Sequence, residues 1–395
     1  MKVLIADKLS EKAVAGLKGL GADITLNPEL TADDLPGAIG DAEILIVRST
    51  RVTAATIETA QSLSLIIRAG AGVNTIDLEG ASGRGIYVAN CPGKNTDAVA
   101  ELAIGHLIAA DRRIAAAAED MRGGKWRKKE YGKSRGLKGR TLGIIGLGAI
   151  GRAVAKRARG LEMNVIAWSR SLTKEAADAL GVGYCESPEQ LVEQADAVSV
   201  HLAASPKTEH FIGKKLLSKM KDGAILINTS RGEIVDTIAL KEAIKEKNLR
   251  VGLDVYENEP VAAAPDFQDK ELAGMVSCTP HIGASTDQAL EAVAEEVVRI
   301  VQCYKDTGKP LNTVNIREKS SAKINLVVRH YNRVGVLAGV LDELKNADIN
   351  IEEMENTIFE GGKAASCTLK LDSEPSAAVI TKIKSGRDII QVMLK

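Results

Sequence analysis

Residues 140–171, RTLGIIGLGAIGRAVAKRARGLEMNVIAWSRS, constrain the fold more than any other stretch. An apolar run ends in GLGAIG, a helical pattern follows, and a second apolar run, NVIAWS, closes the unit. Gly146, Gly148 and Gly151 take the GxGxxG places, which serve a tight turn, close backbone approach to a pyrophosphate, and tight packing of helix on strand. The helix opening there offers unpaired N–H groups and a favourable dipole to phosphate. Such a unit belongs in a parallel α/β sheet and implies a bound dinucleotide.

The acidic residue that usually follows such a unit, and that binds the adenosine ribose, is missing. Ser169 stands there with Arg170 after it. Ser169 can donate to either form of the sugar, while Arg170, with Lys174 beyond it, can pair with a 2′-phosphate. The alternative for Arg170 is a solvated loop residue. NAD is expected, with NADP open through Arg170.

Short β-branched runs (KVLIAD, EILIVRS, LSLIIRAG, IYVANC) alternate with helical patterns up to residue 91, and the alternation resumes after residue 140. Two doubly wound parallel-sheet domains are expected, a flavodoxin-like substrate domain and a Rossmann cofactor domain. Only the second has a glycine turn directly after its first strand. The alanine-rich stretch 97–124 reads as a helix crossing between them, and the basic, glycine-broken 123–139 as an exposed loop. Beyond the polar connection 309–322, the tail reads βαββαβ, a small ferredoxin-like module. The boundaries, which the family resemblance given below implies, are 1–96 with 287–315, 97–286, and 319–395.

The 52 basic and 52 acidic residues cancel, which disfavours nucleic acid or an anionic membrane as partner. No run approaches the roughly 18 apolar residues of a spanning helix, and MKVLIADKLSEKAV lacks the pattern of a signal peptide. The five cysteines show no metal-like spacing and read as reduced, structural thiols in a cytoplasmic protein. No metal is expected. Of the five histidines, His106 falls in the crossing helix, His201 ends a strand, His210 lies in a charged loop and His330 sits in the tail. His281, in TPHIGAST, follows a strand at the ligand-binding end of an α/β sheet and is the candidate proton carrier. Taken alone, it reads equally as a structural histidine.

Its neighbours decide. RAGAGVN, GLGAIG, NTSRGEIVD, LDVYENEP and TPHIGAS, in that order within residues 1–315, resemble the D-isomer-specific 2-hydroxyacid dehydrogenase family. The resemblance implies hydride transfer between a nicotinamide cofactor and a 2-hydroxy acid, with Arg231, Glu259 and His281 as the active site. His281 would move the proton, Glu259 would hold the ring and stabilise imidazolium, and Arg231 would bind the carboxylate and carbonyl of the 2-oxo acid. Ala71, Gly72 and Val73 are implied as N–H donors to the substrate carboxylate. Ala149, Ile150, Thr229, Ser230, Asp254, Gly283 and Ala284 are implied as cofactor contacts, with Pro206 and Thr208 on the adenine side. Ala71 stands where some members have a hydroxyl, so one contact is expected to be absent.

VRSTRVT resembles the phosphate-binding segment of the family's phosphoglycerate-oxidising members, with Arg48 as the first cation, Ser49 beside it and Arg51 near. Arg127, Lys128 or Lys129 are candidate helpers in a partner subunit's site. The tail resembles an ACT regulatory domain, in which His330, Asn332 and Asn350 match serine-binding positions while Val334 replaces the usual proline. The substrate expectation is therefore 3-phosphoglycerate, with L-serine as effector and a homodimer or homotetramer as the assembly. An NADPH-dependent glyoxylate or hydroxypyruvate reductase is the alternative, and an NAD(P)-sensing corepressor-like binding protein a remote one.

Overall fold

The early apolar runs form β1 (Lys2–Ile5), β2 (Asp23–Leu26), β3 (Ile44–Val47), β4 (Leu65–Arg68) and β5 (Tyr87–Asn90), all parallel, in the order β2-β1-β3-β4-β5. That is the flavodoxin-like order. β3 and β4 bury every apolar side chain, as strands covered on both faces must. One cover is the helix Asp287–Thr307, which packs Val293, Val297, Ile300 and Val301 against Val3, Ile5 and Ile46. Thr313 then bridges to Ala89 of β5, so the 310s segment also returns to this sheet.

The second sheet holds β6 (Thr141–Ile145), β7 (Asn164–Trp168), β8 (Gly183–Tyr184), β9 (Ala197–Val200), β10 (Ile225–Asn228), β11 (Arg250–Leu253) and β12 (Ser277–Cys278). It too is parallel, in the order β12-β11-β10-β9-β6-β7-β8. The strand order reverses beside β6, which puts the crevice for a ligand above the glycine loop.

The alanine-rich crossing segment is not one helix. Thr96–Arg112 and Ile114–Arg122 are separated by Arg113, whose φ of 52° is left-handed. The first helix buries Ala100, Ala103, Leu107 and Ala110 in the core of the second sheet, whereas the second buries nothing. The apolar stripe ends at Ala110, and Arg113 turns instead to Glu130 and the ring of Tyr131. The basic stretch expected as loop is exposed but contains a single helical turn, Lys128–Tyr131.

This computed structural model describes residues 1–260, 266–317, 322 and 324–395, and divides into two units, Met1–Asn315 and Ile316–Lys395. The second unit pairs β13 (Ile324–Tyr331), β14 (Ile351–Ile358), β15 (Ala364–Leu371) and β16 (Ile389–Leu394) antiparallel in the order β14-β15-β13-β16. Its helices Val336–Asn346 and Ala377–Ser385 complete the βαββαβ order and bury Val340, Leu344 and Ile383 against Leu326, Val328 and Leu369. The expected start of this module at residue 319 lies outside the described residues. Cys91, Cys185 and Cys367 are buried and free, but Cys278 and Cys303 reach the surface. Among the described residues, no helix is long and apolar enough to cross a membrane.

Candidate functional site

Gly146 turns the chain out of β6 at a φ of 97°, a conformation glycine adopts without steric cost. A Cβ there would sit 2.5 Å from the His201 carbonyl oxygen, and one on Gly151 would collide with the Gly146 carbonyl. Around Gly148 there is open space, and the helix Ala149–Gly160 begins there without a side-chain cap. The first-turn N–H groups at Ala149 and Ile150 are thus left for an anion. At the carboxyl edge of the same sheet, Thr229 Oγ1 and His201 Nδ1 are buried without a partner. Burial alone drives the His201 pKa down to about 4, so its ring is neutral at physiological pH. These orphaned polar atoms and the glycine cradle fit a dinucleotide.

Other expected cofactor positions surround this mouth in different ways. Ser169 and Arg170 follow β7, and Arg170 is exposed with no ion pair among the described residues. Thr208 is consumed by its own turn: its hydroxyl accepts the Ser205 N–H at 2.8 Å and donates to the Ala203 carbonyl at 2.7 Å, with Pro206 inside that turn. Those bonds fix the shape of the loop. Asp254, 1% exposed, accepts from the Thr279 hydroxyl at 2.6 Å and from the N–H groups of Ile282 and Gly283 at 2.8 Å each. Gly283 permits that approach, since a Cβ would lie 2.9 Å from the carboxylate. Ala284 follows, exposed.

The loop held by Asp254 carries His281, itself left-handed at a φ of 53° with its N–H donated to the Asp254 carbonyl at 2.8 Å. Its Nδ1 lies 2.7 Å from Glu259 Oε2, so Nε2 is the nitrogen left for a substrate. Burial pushes the Glu259 carboxyl up, but the hydrogen bond and charge of His281, with Arg231 nearby, hold it below the usual carboxylate range. Arg231 is set by Asn228, which accepts the Ser230 N–H and hydroxyl and donates to the Arg231 carbonyl. Its guanidinium lies against Gly72, where any Cβ would collide with it. The 71–73 segment, which follows β4 of the first sheet, and Arg231, which follows β10 of the second, therefore meet within one unit. Ala71 is braced by Asn90, which donates to its carbonyl at 2.6 Å.

Two residues of this lobe escaped the sequence reading. Asp7, at the end of β1, accepts the N–H groups of Arg48, Ser49 and Thr50 on one oxygen, at 2.7, 3.1 and 3.1 Å. Arg68 ends β4 with its guanidinium pressed on Gly70 and its Nε buried without a partner. Burial, then the charges of Arg231 and Arg48, lower its pKa from the ordinary arginine value. Arg48, Arg68 and Arg231 thus share one neighbourhood, and none forms an ion pair with a carboxylate among the described residues. Arg51 is exposed near them in sequence. A signal for Arg68 was present: a buried run, LSLII, that ends in a cation and is followed by alternating glycines.

The remaining expectations fall elsewhere. Arg127 pairs with Asp120 at 3.5 Å, and Lys128 and Lys129 lie on the exposed helical turn. In the second unit, His330 is 2% exposed with Nε2 3.4 Å from Asn356, Asn332 donates to the Gly362 carbonyl, and the Asn350 N–H donates to Asp372. No hydrogen bond among the described residues joins these three to one another.

Residues 104–283 match the profile described as D-isomer specific 2-hydroxyacid dehydrogenase, NAD binding domain. The chain is 40% identical over 370 residues to the D-3-phosphoglycerate dehydrogenase of Methanocaldococcus jannaschii, covering 93% of this chain and 69% of that protein. It is 42% identical over 282 residues to the glyoxylate reductase of Thermococcus litoralis, covering 70% of this chain and 83% of that one. Of several D-3-phosphoglycerate dehydrogenases it matches, the chain spans 59 to 69% of their length. Among solved structures, the NAD+-bound 3-phosphoglycerate dehydrogenase of Entamoeba histolytica superposes with a TM-score of 0.67 at 29% identity, covering 80% of this chain and 99% of that one. With the glycine cradle, the His281–Glu259 pair and relatives of this identity and coverage, the chain belongs to the D-isomer specific 2-hydroxyacid dehydrogenase family.

Proposed function

We propose that the chain is a D-3-phosphoglycerate dehydrogenase, which oxidises 3-phosphoglycerate to 3-phosphohydroxypyruvate on the way to L-serine. One observation carries the choice within the family: Arg68 feels the charges of both Arg231 and Arg48, and with Asp7 the nearby carboxylate and no ion pair to any of the three among the described residues, cations outnumber carboxylates, which suits a substrate with more than one anionic group. Charge-assisted hydrogen bonds from two arginines suit a phosphate, whereas Arg231 alone suffices for the carboxylate of a plain hydroxy acid. NAD, when bound on the glycine loop, supplies the hydride acceptor. His281 Nε2 takes the hydroxyl proton as the C2 hydride departs, and returns it to the carbonyl oxygen in the reverse direction. Glu259 holds the ring through Nδ1 and stabilises the imidazolium that forms. Arg231 orients the carboxylate, with the N–H groups of the 71–73 segment beside it.

Arg170 is the residue that would let NADP replace NAD. The tail is read as an ACT module that takes L-serine at His330, Asn332 and Asn350 between subunits of a homodimer or homotetramer. A cytoplasmic setting suits the five free thiols. The test is NADH formation on adding 3-phosphoglycerate to the purified protein, with the oxo acid trapped. Wild type should form NADH, and His281→Ala should bind NAD yet form none. No NADH from 3-phosphoglycerate, together with rapid reduction of glyoxylate, would overturn the reading in favour of a reductase.

A further inference from the structure

The helix Thr96–Arg112 contains a histidine that the reaction above does not use. His106 is 3% exposed on the face packed against the second sheet. Gly252 of β11 makes room for it, since a Cβ there would lie 2.7 Å from that of His106. His106 Nε2 sits 2.9 Å from Thr279 Oγ1, and Nδ1 sits 3.3 Å from Ser277 Oγ. The Thr279 hydroxyl has one proton, and it goes to Asp254 Oδ1 at 2.6 Å, where the carboxylate already accepts the Ile282 N–H and can only accept. The threonine oxygen must therefore accept from His106. This puts the imidazole proton on Nε2 and leaves Nδ1 to accept from Ser277.

Donors and acceptors thus run one way, from Ser277 through His106 and Thr279 to Asp254. Asp254 also takes the N–H groups of Ile282 and Gly283, while its carbonyl takes that of His281. Burial, partly offset by Asp254, lowers the His106 pKa, which favours the neutral ring that this arrangement of bonds uses.

We propose that His106 is a positioning residue for His281: as a neutral Nε2–H tautomer it orients Thr279 and, through it, the Asp254 carboxylate that anchors Ile282 and Gly283 directly after His281. The proposal rests on the reading of His281 as the proton carrier. His106→Leu and Thr279→Val cut the chain of bonds, whereas His106→Gln and Thr279→Ser keep a donor and a hydroxyl. The cutting variants should lose roughly tenfold or more in kcat, with KM for the substrate changed by less than about threefold, because a misplaced loop harms orientation more than binding. The conservative variants should recover most of that loss. In 15N-histidine-labelled wild type, the His106 ring should read as the neutral Nε2–H form at neutral pH.

Folded cutting variants with unchanged kcat, or a wild-type His106 that is charged or protonated on Nδ1, would overturn the proposal. If the cutting variants do not fold, the wild-type tautomer decides it. Turnover retained in His281→Ala would instead remove the reading of His281. Turnover lost in His281→Ala but kept in His106→Leu and Thr279→Val would remove only the positioning role.

Discussion

At the scale of single residues, the proposed reaction makes the pair His281–Glu259 set the pH behaviour. Glu259 is held below the usual carboxylate range, so it stays ionised through the region where histidine titrates, and its support fades only as pH falls through that lowered value. Glu259→Gln should keep the hydrogen-bonding shape but remove the charge, and kcat should fall by about 10²-fold, the lower end for general acid–base assistance. A pH profile of kcat for both proteins checks this; equal rates would remove Glu259 from the reaction. A second pair lies close by in sequence. His210 Nε2 is 2.5 Å from Glu257, whose other oxygen accepts the Thr237 N–H. The hydrogen bond that His210 donates to Glu257 raises the His210 pKa, so this tie is fully present below the ordinary histidine value and is lost as pH rises through the raised one. An NMR titration of His210 should show a lower pKa in Glu257→Gln than in wild type.

Residues whose partners are close in sequence, or whose motif names them, were legible. Arg231, Glu259 and His281 each sit in a short motif, and the structure places Glu259 on His281. Asp7 and His106 were not legible, because their partners are 41 and 173 residues away. Nothing in KVLIAD says that its aspartate will gather three N–H groups of another strand's end.

At the scale of elements, the glycine unit is where local sequence and tertiary packing agree. Strand, turn and helix all read directly, because each glycine answers a steric demand of its own. Gly151→Ala should therefore cost about 1–3 kcal/mol, as overpacking against the Gly146 carbonyl forces the helix off the strand. Thermal unfolding and NAD titration check this, and an unchanged Tm with unchanged affinity would contradict it. Arg170, just beyond β7, is exposed and forms no ion pair among the described residues, which suits a phosphate partner. Arg170→Asp should weaken NADPH use far more than NADH use, and equal losses would make it a bystander. The break at Arg113 was hidden, since alanine propensity runs on through 114–118 while the burying surface stops at Ala110. Propensity gave a longer helix than packing supports.

At the scale of the whole molecule, alternation of strand and helix gave both parallel sheets and the antiparallel tail, since each period is set by covered faces rather than by single residues. The return of the helix Asp287–Thr307 to the first sheet depended on the family resemblance, because periodicity says which face is apolar but not what will cover it. Regulation also belongs to this scale. A titration of activity against L-serine should inhibit wild type and leave Asn332→Ala active, and a flat wild-type curve would remove serine as effector.

The central claim is that the arginines beside Arg231 select a phosphorylated acid. The measurement that tests it most directly is the ratio of kcat/KM for 3-phosphohydroxypyruvate to that for hydroxypyruvate, with NADH. Two charge-assisted hydrogen bonds of about 1.5–3 kcal/mol each predict a ratio of at least roughly 100, falling toward one in the double variant Arg48→Gln with Arg68→Gln. A wild-type ratio at or below one would contradict the account.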